Sequence, residues 1–123
     1  ITYDLEQLWR RILFSICVSN TDDHLRNHGF ILTKKGLILS PAYDINPNPN
    51  GYGLSLNIDE QDNRLQKDIA LSVAPLFRLT QTKAIQIAAE IEQVVKSWRT
   101  EAEKIHIGKR EIEEMSSAFL PYA

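Results

Sequence analysis

The chain has 123 residues, of which 43% are hydrophobic and 24% charged, a composition typical of one soluble globular domain and not of a disordered tail or a membrane span. Its 14 Lys and Arg against 16 Asp and Glu give a formal charge of −2, so the basic surface expected of a nucleic-acid-binding domain is missing. The single cysteine cannot form an internal disulfide. Since the sequence also shows no signal peptide or long apolar run, we expect a cytoplasmic protein without direct nucleic-acid or membrane contact.

The first predicted helix covers residues 3–18, because apolar residues recur there at helical spacing along one face. The residues on this face are Leu5, Leu8, Trp9, Ile12, Leu13, Ile16 and Cys17. The polar run 19–23 should end the helix, since its side chains compete for backbone hydrogen bonds. Two short apolar runs then follow, at 30–33 and 37–39, and predict a β-hairpin with Gly36 at a turn position of positive φ.

The alternating run 54–58 predicts a further short strand, and the remainder of the chain is predicted to be helical. Pro75 should kink or shorten the first of these helices, because an interior proline removes a backbone donor. Thr80 can cap the next helix, which keeps its apolar period over residues 84–102 and is the longest predicted element. Gly108 marks a break before a last short helix.

Two polar segments, 19–28 and 40–47, lie at the two feet of the predicted hairpin. A hairpin returns the chain close to where it left, so residues around Asn27 and Asp44 should converge. Asp22 precedes Asn27 by five positions, which is also the spacing of the base aspartate and the metal-binding asparagine in the protein-kinase catalytic loop. Phosphoryl transfer needs a carboxylate to accept the hydroxyl proton and hard oxygen ligands for Mg²⁺. The pattern therefore predicts Asp22 as the base, with Asn27 and Asp44 as Mg²⁺ ligands.

Simpler interpretations exist for each of these residues. Asp22 can cap a helix or form a turn, and Asn27 can satisfy backbone groups at a strand end. Asp44 can be a turn residue, but its apolar neighbours predict burial, where an unpaired carboxylate is costly. The joint spacing favours the metal site. A zinc site at His24 and His28 is disfavoured, because no second pair of ligands accompanies them.

Two segments also resemble a known family: residues 20–27 (NTDDHLRN) and residues 39–45 (LSPAYDI). They look like the catalytic and metal-binding loops of the HipA family of bacterial serine/threonine kinases, which are the toxins of toxin–antitoxin systems. Residues 62–65, the pair Trp98-Arg99 and residues 114–119 are also similar to the carboxy-terminal region of that family. The resemblance therefore covers nearly the whole chain.

The resemblance implies a mainly α (α+β) fold: a single domain over residues 1–123, like part of a protein-kinase carboxy-terminal lobe, with the hairpin carrying the active-site loops. It implies transfer of the ATP γ-phosphoryl group to Ser or Thr of a protein, such as an aminoacyl-tRNA synthetase, and neutralisation by a DNA-binding antitoxin. Asp22 matches the catalytic aspartate, and Asn27 and Asp44 match the Mg²⁺ ligands. His24 matches the motif histidine, which should brace the loop of this ATP- and Mg²⁺-binding site.

The family's amino-terminal lobe, with a phosphate loop and an ATP-binding lysine, has no counterpart in the sequence. Because the chain also begins at Ile1 without Met, we expect the active enzyme to be larger and the chain alone to have little or no kinase activity. Two alternatives stay open. One is a non-catalytic module that binds a partner lobe or an antitoxin, which a large exposed apolar face would favour. The other is a phosphotransferase that acts on a small molecule.

Overall fold

A computed structural model describes residues 2–20, 28–49 and 60–119, with the backbone alone described for 60–65. The elements are α1 (Thr2–Cys17), β1 (Phe30–Thr33), β2 (Gly36–Leu39), α2 (Glu60–Val73), α3 (Gln81–Val95), α4 (Trp98–Lys104) and α5 (Lys109–Met115). Short 3₁₀ turns, Ala74–Phe77 and Ser116–Phe119, follow α2 and α5. This confirms the predicted mainly helical fold with a small antiparallel hairpin. The predicted strand at 54–58 lies outside the described residues.

The predicted first helix is confirmed, and it ends in a left-handed turn. The amide of Asn20 donates to the Ser15 carbonyl at 2.8 Å, and the amide of Ser19 donates to the Ile16 carbonyl at 3.2 Å. Ser19 has φ 58, so these bonds form a Schellman motif. Glycine is usual at this position, because a left-handed conformation costs other residues about 1 kcal/mol or more. The serine is held here by its hydroxyl, which donates to the Ala118 carbonyl at 2.6 Å.

The core forms where α1 packs against α2 and α3. Trp9 and Leu13 of α1 are both 0% exposed, and the indole Nε1 of Trp9 donates to the Ala70 carbonyl of α2 at 3.0 Å. The core cluster comprises Trp9, Leu13, Cys17, Val18, Ala70, Ala74, Leu79, Ala84, Ile87, Ala88, Ile91 and Val95. The apolar face predicted for α1 thus supplies one wall of the core, and the hydrogen bond from Trp9 to Ala70 joins α2 to it.

Two local predictions for the helical half are confirmed. Pro75 shortens its helix, since α2 ends at Val73 and the chain continues as a 3₁₀ turn with the proline at its start. Thr80 caps α3, because its hydroxyl accepts the Lys83 amide at 3.1 Å. Both predictions rest on local chemistry. Pro75 lacks the backbone donor that would continue α2, and the Thr80 hydroxyl supplies an acceptor at the start of α3.

The prediction of one longest helix over 84–102 is wrong. The helix α3 ends at Val95, a new helix begins at Trp98, and α1 with 16 residues is longer than α3 with 15. The cause is Ser97, whose hydroxyl and amide both donate to the Val94 carbonyl, at 2.7 and 3.1 Å. Such short-range bonds compete with the helical ladder and tighten its last turn.

The carboxy-terminal helices are joined by side-chain contacts. The rings of Trp98 and Phe119 stack with centroids 4.1 Å apart. Arg99 donates to the Glu113 carboxylate at 2.7 Å, and this hydrogen bond together with the guanidinium charge lowers the pKa of Glu113. Gly108 is the N-cap of α5, which confirms the predicted break. Within the described residues, no helix is both long enough and apolar enough to cross a membrane.

Candidate active site at the feet of the hairpin

The hairpin forms as predicted and brings its two feet together. Phe30 pairs with Leu39 and Thr33 with Gly36 in an antiparallel register. Gly36 adopts φ 110, a backbone conformation that is unfavourable for residues with a side chain. At the open end, the amide of Ser40 donates to the Gly29 carbonyl at 2.8 Å. The segment that enters the hairpin and the segment that leaves it are therefore adjacent.

The second foot is attached to α1. The Asp4 carboxylate accepts the Leu39 amide at 3.2 Å, and Arg11 donates from Nη2 to the Ser40 carbonyl. A two-stranded hairpin is marginally stable by itself. Side chains on two turns of the helix thus hold the end of β2, and with it the start of the loop that carries Asp44.

Asp44 lies in this loop in the left-handed conformation, with φ 57. Its side chain is exposed, so the predicted burial beside apolar neighbours is wrong. Of those neighbours, Ile45 packs against the core, whereas Tyr43 is 46% exposed. The chain turns at Asp44 in such a way that Ile45 is partly buried against the core while the Asp44 side chain stays in solvent. Asn46 donates from Nδ2 to Oδ1 of Asp44 at 3.0 Å.

The end of α1 contacts the segment after Asp44. The Ser19 carbonyl accepts the Asn48 amide at 3.0 Å, and Oδ1 of Asn20 accepts the Asn46 amide at 3.4 Å. The side chain of Asn20 also donates from Nδ2 to Ser15 Oγ at 3.2 Å. Asn20 is the first residue of the segment 20–27 that resembles a catalytic loop, and Ser19 directly precedes it. The polar run and the Asp44 segment therefore meet, as far as the described residues extend.

The sequence predicts that Ser19 and Asn20 end the helix and places Asn20 in the segment that resembles a catalytic loop, but it assigns neither side chain a hydrogen-bond partner. Both are buried. A usable signal was nevertheless present, since polar residues that directly follow a core-facing helix need hydrogen-bond partners once they are buried. Which partners they would find depends on the tertiary fold.

The predicted residues Asp22, His24 and Asn27 lie outside the described residues. Among the described ones, no group of three or more His, Cys, Asp or Glu side chains is placed to hold a metal ion. Asp44 supplies one suitable donor, because an exposed carboxylate with one oxygen already hydrogen-bonded fits a position in the oxygen shell of Mg²⁺.

The described residues form a mainly helical fold in which a β-hairpin is followed by a loop with an exposed carboxylate, Asp44. The family model described as the HipA-like C-terminal domain matches residues 2–98, which is more than half of the chain. The chain belongs to this family, as the resemblance of its two loops implied. No curated protein and no solved structure matches the chain.

Proposed function

We propose that the chain is the carboxy-terminal catalytic part of a HipA-like protein serine/threonine kinase. The observation that carries this proposal is the exposed Asp44 at the foot of the hairpin, connected through Asn46 and Asn20 to the end of α1. The predicted base, Asp22, follows Asn20 by two residues in the sequence. Family membership over residues 2–98 supports the same function.

In this proposal, Asp22 orients a Ser or Thr hydroxyl of a protein substrate and accepts its proton as the oxygen attacks the γ-phosphorus of ATP. The bond from the γ-phosphorus to the bridging oxygen breaks, and ADP leaves. Asn27 and Asp44 hold Mg²⁺, which supplies neutralisation of phosphate charge when bound. His24 braces the loop between the two predicted catalytic positions.

The phosphate loop and the ATP-binding lysine come, in this proposal, from a separate amino-terminal lobe. The substrate is a cytoplasmic protein of the aminoacyl-tRNA synthetase class, and a DNA-binding antitoxin neutralises the enzyme. These partners follow from the family resemblance and are part of the proposal.

An assay of γ-phosphoryl transfer with Mg²⁺ and ATP tests this function. We expect little or no transfer by the chain alone and clear transfer after the amino-terminal lobe is added, with the transfer lost in Asp22→Asn. Robust turnover by the chain alone would contradict the need for a second lobe. Full activity of Asp22→Asn in the assembled enzyme would contradict its role as the base.

The small-molecule alternative predicts a different result in cells. Comparing protein phosphorylation between cells with the wild-type kinase and cells with Asp44→Ala should reveal phosphosites that depend on Asp44. If no protein phosphosite differs, the protein-kinase proposal fails and a small-molecule acceptor is favoured.

The hairpin supports a second candidate function, which is binding of a partner lobe. Ile31 and Ile38 are exposed on one face, and the cross-strand pair Leu32 and Leu37 is 78% and 67% exposed on the other. Large apolar side chains exposed as a cross-strand pair favour an interaction site on that face. The observation is compatible with the kinase proposal, since the same surface can receive the ATP-binding lobe.

Replacing both Leu32 and Leu37 with serine should weaken binding of the amino-terminal lobe at least tenfold, because the apolar pair is lost from the contact. The free energy of unfolding should change by less than about 0.5 kcal/mol per site, since both side chains are exposed. Titration calorimetry and urea unfolding measure the two effects. Ile69→Ser is the matched control, because Ile69 is exposed on α2. Equal weakening by the control would contradict a specific surface on the hairpin.

A further inference from the structure

A chain of hydrogen bonds links the core to the Asp44 carboxylate. Asn46 donates from its side chain to Oδ1 of Asp44 at 3.0 Å, and its backbone amide donates to Oδ1 of Asn20 at 3.4 Å. Asn20 in turn donates to the hydroxyl of Ser15, within α1, at 3.2 Å. The Asp44 carboxylate is therefore linked to α1 through the hydrogen bonds of Asn46 and Asn20.

The two ends of this relay differ in burial. Asn20 is 7% exposed, whereas Asn46 and Asp44 are exposed. A buried side chain held on both sides has a fixed position, while an exposed loop residue takes its position from its contacts. Asparagine suits the buried end because its amide both accepts from Asn46 and donates to Ser15. The fixed group is thus Asn20, and the exposed carboxylate is the group that it orients.

We propose that Asn20 is a positioning residue that acts through Asn46 to orient the Asp44 carboxylate toward a bound divalent cation. One carboxylate oxygen is held by Asn46, and the other is the oxygen that we assign to the cation. Mutation of a residue that hydrogen-bonds to a metal ligand typically lowers metal affinity or activity about 10- to 100-fold. This inference rests on the proposed function, in which Asp44 is a Mg²⁺ ligand.

Titration of the chain with Mn²⁺, followed by the electron paramagnetic resonance signal of the free ion, tests the proposal. Asn20→Ala should weaken Mn²⁺ binding about tenfold, and Asn46→Ala should do the same. Because both act in one relay, the double variant should bind no more weakly than the weaker single variant. Asn20→Asp keeps an acceptor for the Asn46 amide, so it should bind Mn²⁺ more tightly than Asn20→Ala.

Thr80→Ala separates positioning from a general loss of stability, since it removes the N-cap of α3 and touches neither loop. Urea unfolding should show that it destabilises the chain, while its Mn²⁺ affinity stays that of the wild type. The positioning role is overturned if Asn20→Ala binds Mn²⁺ like Thr80→Ala, if the two single effects multiply in the double variant, or if Asn20→Asp binds as weakly as Asn20→Ala.

Asp44→Ala distinguishes failure of this inference from failure of the proposed function. If Asp44→Ala binds Mn²⁺ as tightly as the wild type, Asp44 is not a ligand and the proposed metal site is wrong. If Asp44→Ala weakens binding and Asn20→Ala does not, the metal site stands and the positioning role alone is wrong.

Discussion

Trp9→Ala is expected to lower the free energy of unfolding by about 3–5 kcal/mol, the range typical of tryptophan truncation in a core. Trp9 is 0% exposed, and its indole donates to the Ala70 carbonyl of α2. The substitution therefore leaves a cavity and removes the hydrogen bond that fixes α2 against α1. Domains of this size are stable by about 5–15 kcal/mol, so a large fraction of the total is lost. Urea unfolding followed by circular dichroism measures the effect.

The second tryptophan provides the control. Trp98 is half-buried and stacks on Phe119, so Trp98→Ala should lower the free energy of unfolding distinctly less than Trp9→Ala. Equal losses for the two variants would show that the region packed around Trp9 is not the main source of stability.

Asp44→Asn should reduce Mg²⁺-dependent phosphoryl transfer by the assembled kinase on the order of 100-fold or more. Loss of a hydrogen-bond partner of a metal ligand typically costs about 10- to 100-fold, and loss of the ligand's own charge should cost at least as much. The amide keeps the shape of the side chain and removes the negative charge that Mg²⁺ prefers. Folding should be unaffected, because asparagine tolerates the left-handed conformation that residue 44 adopts at φ 57. Initial transfer rates across a range of Mg²⁺ concentrations measure the loss.

Asp68→Asn is the matched control, since Asp68 is an exposed carboxylate on α2. It should leave the transfer rate unchanged. A comparable loss in both variants would point to a general effect of charge. Unchanged activity in Asp44→Asn would contradict the assignment of Asp44 as a Mg²⁺ ligand.

Elements with a strong local pattern were predictable from the sequence. The apolar face of α1 has helical spacing, and Gly36 and Thr80 act within their own turns. The break between α3 and α4 was missed because the apolar period continues through it, while Ser97 interrupts the backbone with a local hydrogen bond. The apolar period predicts which face of a helix is buried. It does not predict where a side chain such as Ser97 bonds to a backbone carbonyl and ends the helix.

The residue types of the candidate site stay a prediction, and the structure describes only the part of its geometry around Asp44. Asp44 was found from its place after the hairpin, but its exposure was not, because that depends on a left-handed backbone at one residue. The contact between Asn20 and the Asn46 amide spans 26 positions, and no local pattern encodes it. Asp22, His24 and Asn27 remain predictions, since they lie outside the described residues.

If Asp44 binds a cation as proposed, the left-handed end of α1 couples the stability of the core to cation binding. Because the amides of Asn46 and Asn48 donate to Asn20 and Ser19 at this helix end, we expect fraying of α1 and release of the Asp44 segment to occur together in one local unfolding event. At the proposed site, the apparent cation affinity would then scale with the fraction of molecules in which this helix end is formed. Substitutions on the buried face of α1, far from any ligand, can therefore act on cation binding through that population alone.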